Sequence, residues 1–151
     1  MYVCKISSLT KRKSFEGYKE NIEVLEAYTN VDLWYTKGAN FEIVGYSDSD
    51  YAGCKVERKS TSATCQMLGR SLVSWSSKKQ NSIALSSVEA EYISAGSCCA
   101  QILWMKATLN DFGIKFKKVP LLCDNESAIK LTNNPVQHAR TKHIDVCHHF
   151  I

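Results

Sequence analysis

The sequence predicts an α/β fold: a mixed sheet of three antiparallel strands, followed by a helix, a parallel strand and a second helix. Three observations carry this. Two strand-like runs, 61–68 and 71–76, are split by Gly69-Arg70, the two-residue glycine turn expected of a hairpin. Ser86-Ser87-Val88-Glu89 is a capping box that opens a long segment of helical apolar periodicity. Finally, 119–123 is a short apolar strand running straight into Asp124-Asn125, either of which can cap a further helix.

Taken in chain order, residues 1–38 read as a preface to the domain at 39–151. Tyr18, Ile22, Leu25 and Tyr28 or Thr29 recur at helical spacing, predicting a short amphipathic helix over 15–28. Leu33-Trp34-Tyr35 then reads as a short strand, and Lys37-Gly38-Ala39-Asn40 as a turn. Residues 41–47 form a buried strand bounded by Asp48-Ser49-Asp50. After the hairpin, Ser86 is the expected N-cap, with Glu89 reaching back to it. Val88, Tyr92, Ala95, Cys99, Ile102 and Leu109 form the buried stripe of the long helix, and Gly113 ends it. The second helix covers 126–131, and Asn133-Asn134-Pro135 stops it. Nothing after Pro135 reads as a strand, and 141–151 reads as a helix.

Composition excludes several classes. An apolar fraction of 44% and a charged fraction of 23% belong to a globular chain of 151 residues rather than a disordered one. No apolar run is long enough to cross a bilayer, and the first residues lack the apolar block of a signal peptide, so an intracellular protein that is not secreted is expected. Seven cysteines at irregular spacing suit free thiols in a reducing compartment. Cys147-His148-His149 is the nearest approach to a zinc cluster, but it has no second half. The net charge of +4 is modest, yet Lys55, Arg58, Lys59, Arg70, Lys78 and Lys79 gather within 55–79 against one acid, Glu57. Such a stretch serves equally as a solvated surface or a phosphate-binding face.

Three carboxylates stand out. Asp48 and Asp124 each end an apolar strand, and Glu91 lies on the apolar stripe near a helix start, where Glu89 already serves as the capping acid. A turn residue explains Asp48 and a helix cap explains Asp124, but an ionised Glu91 on a packed face is costly unless a cation meets it. If the first and fourth strands of the domain are neighbours, the three converge on an oxygen-rich site suited to Mg²⁺. Two such ions about 3.5–4 Å apart can clamp the attacking and leaving oxygens of a phosphodiester.

These residues sit in recognisable surroundings. Gly45-Tyr46-Ser47-Asp48-Ser49-Asp50-Tyr51-Ala52-Gly53, Arg58-Lys59-Ser60-Thr61-Ser62, Ser74-Trp75-Ser76-Ser77-Lys78-Lys79-Gln80 and Ala84-Leu85-Ser86-Ser87-Val88-Glu89-Ala90-Glu91-Tyr92 follow one another in order. Leu122-Cys123-Asp124-Asn125-Glu126-Ser127-Ala128-Ile129 and Arg140-Thr141-Lys142-His143-Ile144-Asp145 complete the series. From about residue 33 to 151 the chain resembles the ribonuclease H domain of copia-type retrotransposons, closest to plant elements. Residues 1–38 resemble, more loosely, the segment joining it to reverse transcriptase. Ala63 stands where that family usually has glycine.

The resemblance implies a ribonuclease H-like sheet, here lacking the last strand and helix of that fold. It implies an endonuclease that cuts the RNA strand of an RNA–DNA hybrid during reverse transcription, using two Mg²⁺ ions that Mn²⁺ can replace. Asp48, Glu91 and Asp124 become the metal-binding acids, and Lys55, Arg58, Lys59, Ser60, Trp75, Lys78 and Lys79 the nucleic-acid contacts. Asp145 is the nearest candidate for the family's fourth acid, although Lys142, His148 and His149 around it are the company of an ordinary surface charge. The hybrid and the reverse transcriptase domain of the same polyprotein are the expected partners, within the cytoplasmic virus-like particle of the element. The alternative is a nucleic-acid-binding remnant without catalysis.

Overall fold

The computed structural model describes residues 5–8, for their backbone, and 41–132. Among these described residues are five strands, β1 (Lys5–Ser8), β2 (Ile43–Asp50), β3 (Thr61–Leu68), β4 (Ser71–Lys79) and β5 (Pro120–Cys123), and two helices, α1 (Ser87–Asp111) and α2 (Glu126–Thr132). The strands form one sheet in the order β1-β5-β2-β3-β4. β2, β3 and β4 are antiparallel neighbours, and β5 lies parallel to β2 on its other side. The expected α/β order is therefore present. The expected helices over 15–28 and 141–151, the strand at Leu33-Trp34-Tyr35 and Asp145 lie outside the described residues.

The sheet has one more strand than the sequence pattern announces. Lys5–Ser8, set apart as part of a preface, pairs in parallel with all four residues of β5. Four residues are too few to show a period, so only the pairing reveals them. The physical gain is on β5, whose outer backbone groups find partners in β1 instead of forming an open edge.

Local chemistry accounts for the rest. The hairpin turns at Gly69-Arg70, with Leu68 opposite Ser71. Between Gln66 and Met67 the register shifts, a bulge that adds twist to β4. Ser86 caps α1, its Oγ accepting the Glu89 N–H at 3.2 Å, while Glu89 Oε2 accepts the N–H of Leu85, one residue before the cap. At the other end Ile114 N–H reaches Leu109 O and Gly113 N–H reaches Asn110 O, the paired bonds of a Schellman stop with Gly113 at φ +81°.

The helix α1 lies across β2 and β3. Ala95, Cys98, Cys99, Ile102 and Met105 pack with Ile43, Val119, Leu121, Cys123 and Ala128, and Val88 and Leu109 close the margins. The stripe expected from periodicity is thus the buried one, with Cys98 and Met105 added to it. Contact is close because β2 carries Gly45: a Cβ there would sit 2.4 Å from Ile102 Cδ1 and 3.0 Å from Cys98 Sγ. On the other face of the sheet Tyr46, Cys65 and Met67 form a second cluster with Val44, Leu72 and Leu122.

Candidate functional site

The β2–β5 pairing brings two strand ends together, and α1 begins beside them. Gly45 and Tyr46 lie opposite Leu121 and Leu122, so the chain leaves β2 at Asp48–Asp50 close to where β5 delivers Cys123 and Asp124. Glu91, on the first turns of α1, comes in from above. Glu91 as a whole is 6% exposed. Oε1 accepts the Ser49 N–H at 3.1 Å, and Oε2 faces the Cys123 Sγ at 3.8 Å. Ligand atoms of Glu91, Cys123 and Asp124 lie within 4.8 Å of one another.

Asp124 is exposed, and it is not the helix cap. Asn125 takes that role, its Oδ1 accepting the N–H groups of Ser127 and Ala128 at 3.0 and 3.1 Å. The capping explanation for Asp124 is thereby removed, and its carboxylate is left on the solvent side of the cluster.

The electrostatics follow from this crowding. Burial first, then the charges of Asp48 and Asp124, push the Glu91 carboxyl up to about 8. The Ser49 N–H and the Cys123 thiol work in the opposite direction but do not offset them. Burial also pushes the Cys123 thiol up to about 12. A thiol held that high stays protonated near neutrality, so it donates to Glu91 rather than offering a thiolate to a soft metal. The donor set is therefore carboxylate oxygen, open to water on the Asp124 side. That combination fits a hard divalent cation that keeps part of its hydration shell.

The proposed nucleic-acid contacts divide. Lys55, Arg58, Lys78 and Lys79 are exposed, and Lys59 is half-buried. Glu57 lies 3.5 Å from Lys59 and 3.6 Å from Lys79, which tempers the positive charge of that patch. Trp75 is 44% exposed, but Trp75 and Lys78 stand three apart on β4 and so face opposite sides of the sheet. Lys78 and Trp75 nonetheless both contribute to the lining of a groove of about 550 Å³, together with Ser62, Thr64, Ser74 and Gln101. Ser60 departs from expectation: it is fully buried, its Oγ accepting Ala52 N–H at 3.0 Å and its carbonyl accepting Gln80 N–H at 2.8 Å. It shapes the 51–60 loop from within, where Ala52 and Arg58 have positive φ, and cannot touch a phosphate from there.

Sequence reasoning passed over four residues that build the site. These are Ser49, Cys123, Ser94 and Gln80. Each is small or neutral, and no pattern marks which of the many serines and glutamines turn inward.

A mixed sheet in this order, with Glu91 at a helix start beside Asp124, and Asp48 outside that cluster but near enough to act on Glu91 through its charge, is consistent with a ribonuclease H-like α/β fold. No family model matches the chain, and no solved structure matches it significantly. Among curated proteins it is 37% identical over 137 residues, 90% of its length, to the retrovirus-related Pol polyprotein from transposon RE1 of Arabidopsis thaliana. It is 41% identical over 140 residues, 93% of its length, to the corresponding polyprotein from transposon TNT 1-94 of Nicotiana tabacum. It spans only 9% and 10% of those two proteins. A secreted RxLR effector protein 161 of Plasmopara viticola is 35% identical over 91 residues, which is 60% of this chain and 64% of that protein. Over about nine-tenths of its length the chain is thus similar to a short stretch of the retrovirus-related Pol polyproteins of plant transposons. No helix among the described residues is long and apolar enough to cross a membrane.

Proposed function

We propose that the chain is the ribonuclease H-type module of a retrotransposon Pol polyprotein, an endonuclease that hydrolyses the RNA strand of an RNA–DNA hybrid. One observation carries this reading: the Glu91 carboxyl is buried at the start of α1 with a ligand atom of Asp124 within 4.8 Å, and burial first, then the charges of Asp48 and Asp124, raise it to about 8. Three acids so placed cost stability on their own account, and a cation-dependent reaction is the use that explains the cost.

The residues divide the work. Asp48, Glu91 and Asp124 would hold Mg²⁺, or Mn²⁺ in its place. A divalent cation bound there supplies charge neutralisation at the phosphodiester and a more acidic water. Glu91 would hold the cation in its ionised form, since only the deprotonated carboxyl is an anionic ligand. The Ser49 N–H, donating to Oε1, would hold that carboxylate in one orientation. Asp124, facing solvent, marks the side from which the hybrid approaches. Lys55, Arg58, Lys59, Lys78 and Lys79 bind phosphates and set the register of the hybrid, whose RNA strand is distinguished by its 2′-hydroxyls. In the full polyprotein the neighbouring partner is the reverse transcriptase domain, and the particle of the element is the place of action.

The test is a labelled RNA–DNA hybrid with Mg²⁺ or Mn²⁺, using the chain as it stands and the Asp124→Asn variant. Cation-dependent loss of the RNA strand that disappears in Asp124→Asn supports the assignment. Hybrid binding with no cleavage under either cation selects the inactive remnant instead. Asp145→Asn in the same assay decides whether that residue supplies a fourth acid.

A further inference from the structure

We infer that Ser94 and Gln80 are positioning residues for the acid cluster: two neutral, buried side chains that clamp the start of α1 to the sheet on either side of Glu91. The inference rests on the metal-site reading above. Ser94 stands one helical turn after Glu91 and is fully buried. Its Oγ donates to the carbonyl of Asp48 at 2.6 Å and lies 3.3 Å from the carbonyl of Ala63. Asp48 and Ala63 are register partners across β2 and β3, so one hydroxyl ties the helix to the strand pair at the residue that carries the first acid.

Gln80 acts from the other side. It is 5% exposed, and its Nε2 donates at 2.9 Å both to Ser62 Oγ on β3 and to the carbonyl of Ala90, the residue before Glu91. Its own N–H is spent on Ser60 O at 2.8 Å. The two clamps bracket Glu91 at positions 90 and 94, and the third link is Ser49 N–H on the carboxylate itself. Helix and sheet would pack through Cys98, Ile102 and Ala95 without any of these bonds. Apolar contact is non-directional and leaves a helix free to slide by fractions of an ångström. Directional bonds to Asp48 O and Ala90 O remove that freedom on both sides of Glu91, which is what support for a metal site requires.

The experiment uses the whole 151-residue chain with Mn²⁺ as the probe, its affinity read by electron paramagnetic resonance, alongside circular dichroism to show that each variant is folded. Ser94→Ala should weaken Mn²⁺ binding by about tenfold or more, the usual loss when an outer-sphere partner is removed. Ser94→Thr, which keeps the hydroxyl, should restore most of it. Gln80→Ala carries the same expectation and serves if Ser94→Ala fails to fold. Folded Ser94→Ala and Gln80→Ala chains that bind Mn²⁺ like the parent would overturn the positioning role while leaving the metal site standing. A parent chain that binds no Mn²⁺ would remove both.

Discussion

Replacing Glu91 by glutamine isolates what the acid cluster costs the fold. In the parent, burial and the charges of Asp48 and Asp124 raise the carboxyl from its ordinary 4.5 to about 8. The unfolded chain loses this proton as pH rises past 4.5, whereas the folded chain keeps it until about 8. Folding is thus favoured by the bound proton below that window, and the advantage is lost as pH rises through it. Between about pH 5.5 and 8.5 the loss amounts to on the order of 3 kcal/mol. Glutamine keeps the acceptor for Ser49 N–H and carries no charge. The variant should therefore gain stability relative to the parent by roughly that amount between the two pH values, less whatever the site relaxes. Urea unfolding of both chains in the presence of a chelator measures it, because other titrating groups cancel in the difference. Added Mg²⁺ should then raise the stability of the parent alone, by about 2.7 kcal/mol at a hundredfold excess over its dissociation constant. A parent–variant difference that stays flat with pH would show that Glu91 is not held protonated by its neighbours, and the electrostatic account would fall.

Other outcomes follow from the same structure. Ile102→Ala removes a side chain that is 1% exposed at the centre of the α1–sheet contact, and should cost about 2–5 kcal/mol in urea unfolding. Asn125→Ala strips two hydrogen bonds from the start of α2 and should cost roughly 1 kcal/mol; a larger loss than Ile102→Ala would contradict the assigned roles. Affinity for a hybrid should fall steeply with salt, each neutralised phosphate adding roughly 0.7–0.9 to the log–log slope. Neutralising Lys55, Arg58 and Lys78 should flatten that slope, while Ser60→Ala should leave it unchanged, since Ser60 is buried. An unchanged slope in the triple variant would move the binding surface elsewhere.

Much of the fold was legible because its signals are local. The Gly69-Arg70 hairpin, the Ser86 cap, the Gly113 stop and the stripe through Tyr92, Ala95, Cys99 and Ile102 each depend on residues within a few positions of one another. Asp48, Glu91 and Asp124 were legible as anomalies and from the resemblance of their surroundings, acids standing where apolar strands and a packed helix face should not carry them. Tertiary structure decided what these local signals leave open. It chose Asn125 over Asp124 as the cap and thereby left Asp124 to the cluster. It recruited Lys5–Ser8 to the edge of β5, more than a hundred residues away in sequence. It turned Ser60 inward, set Trp75 and Lys78 on opposite faces, and placed the Cys123 thiol against Glu91. The common reason is that sheet register and helix docking join residues separated by tens of positions. At that range the sequence carries apolar period and charge, but not which serine, glutamine or cysteine will find its partner across the sheet.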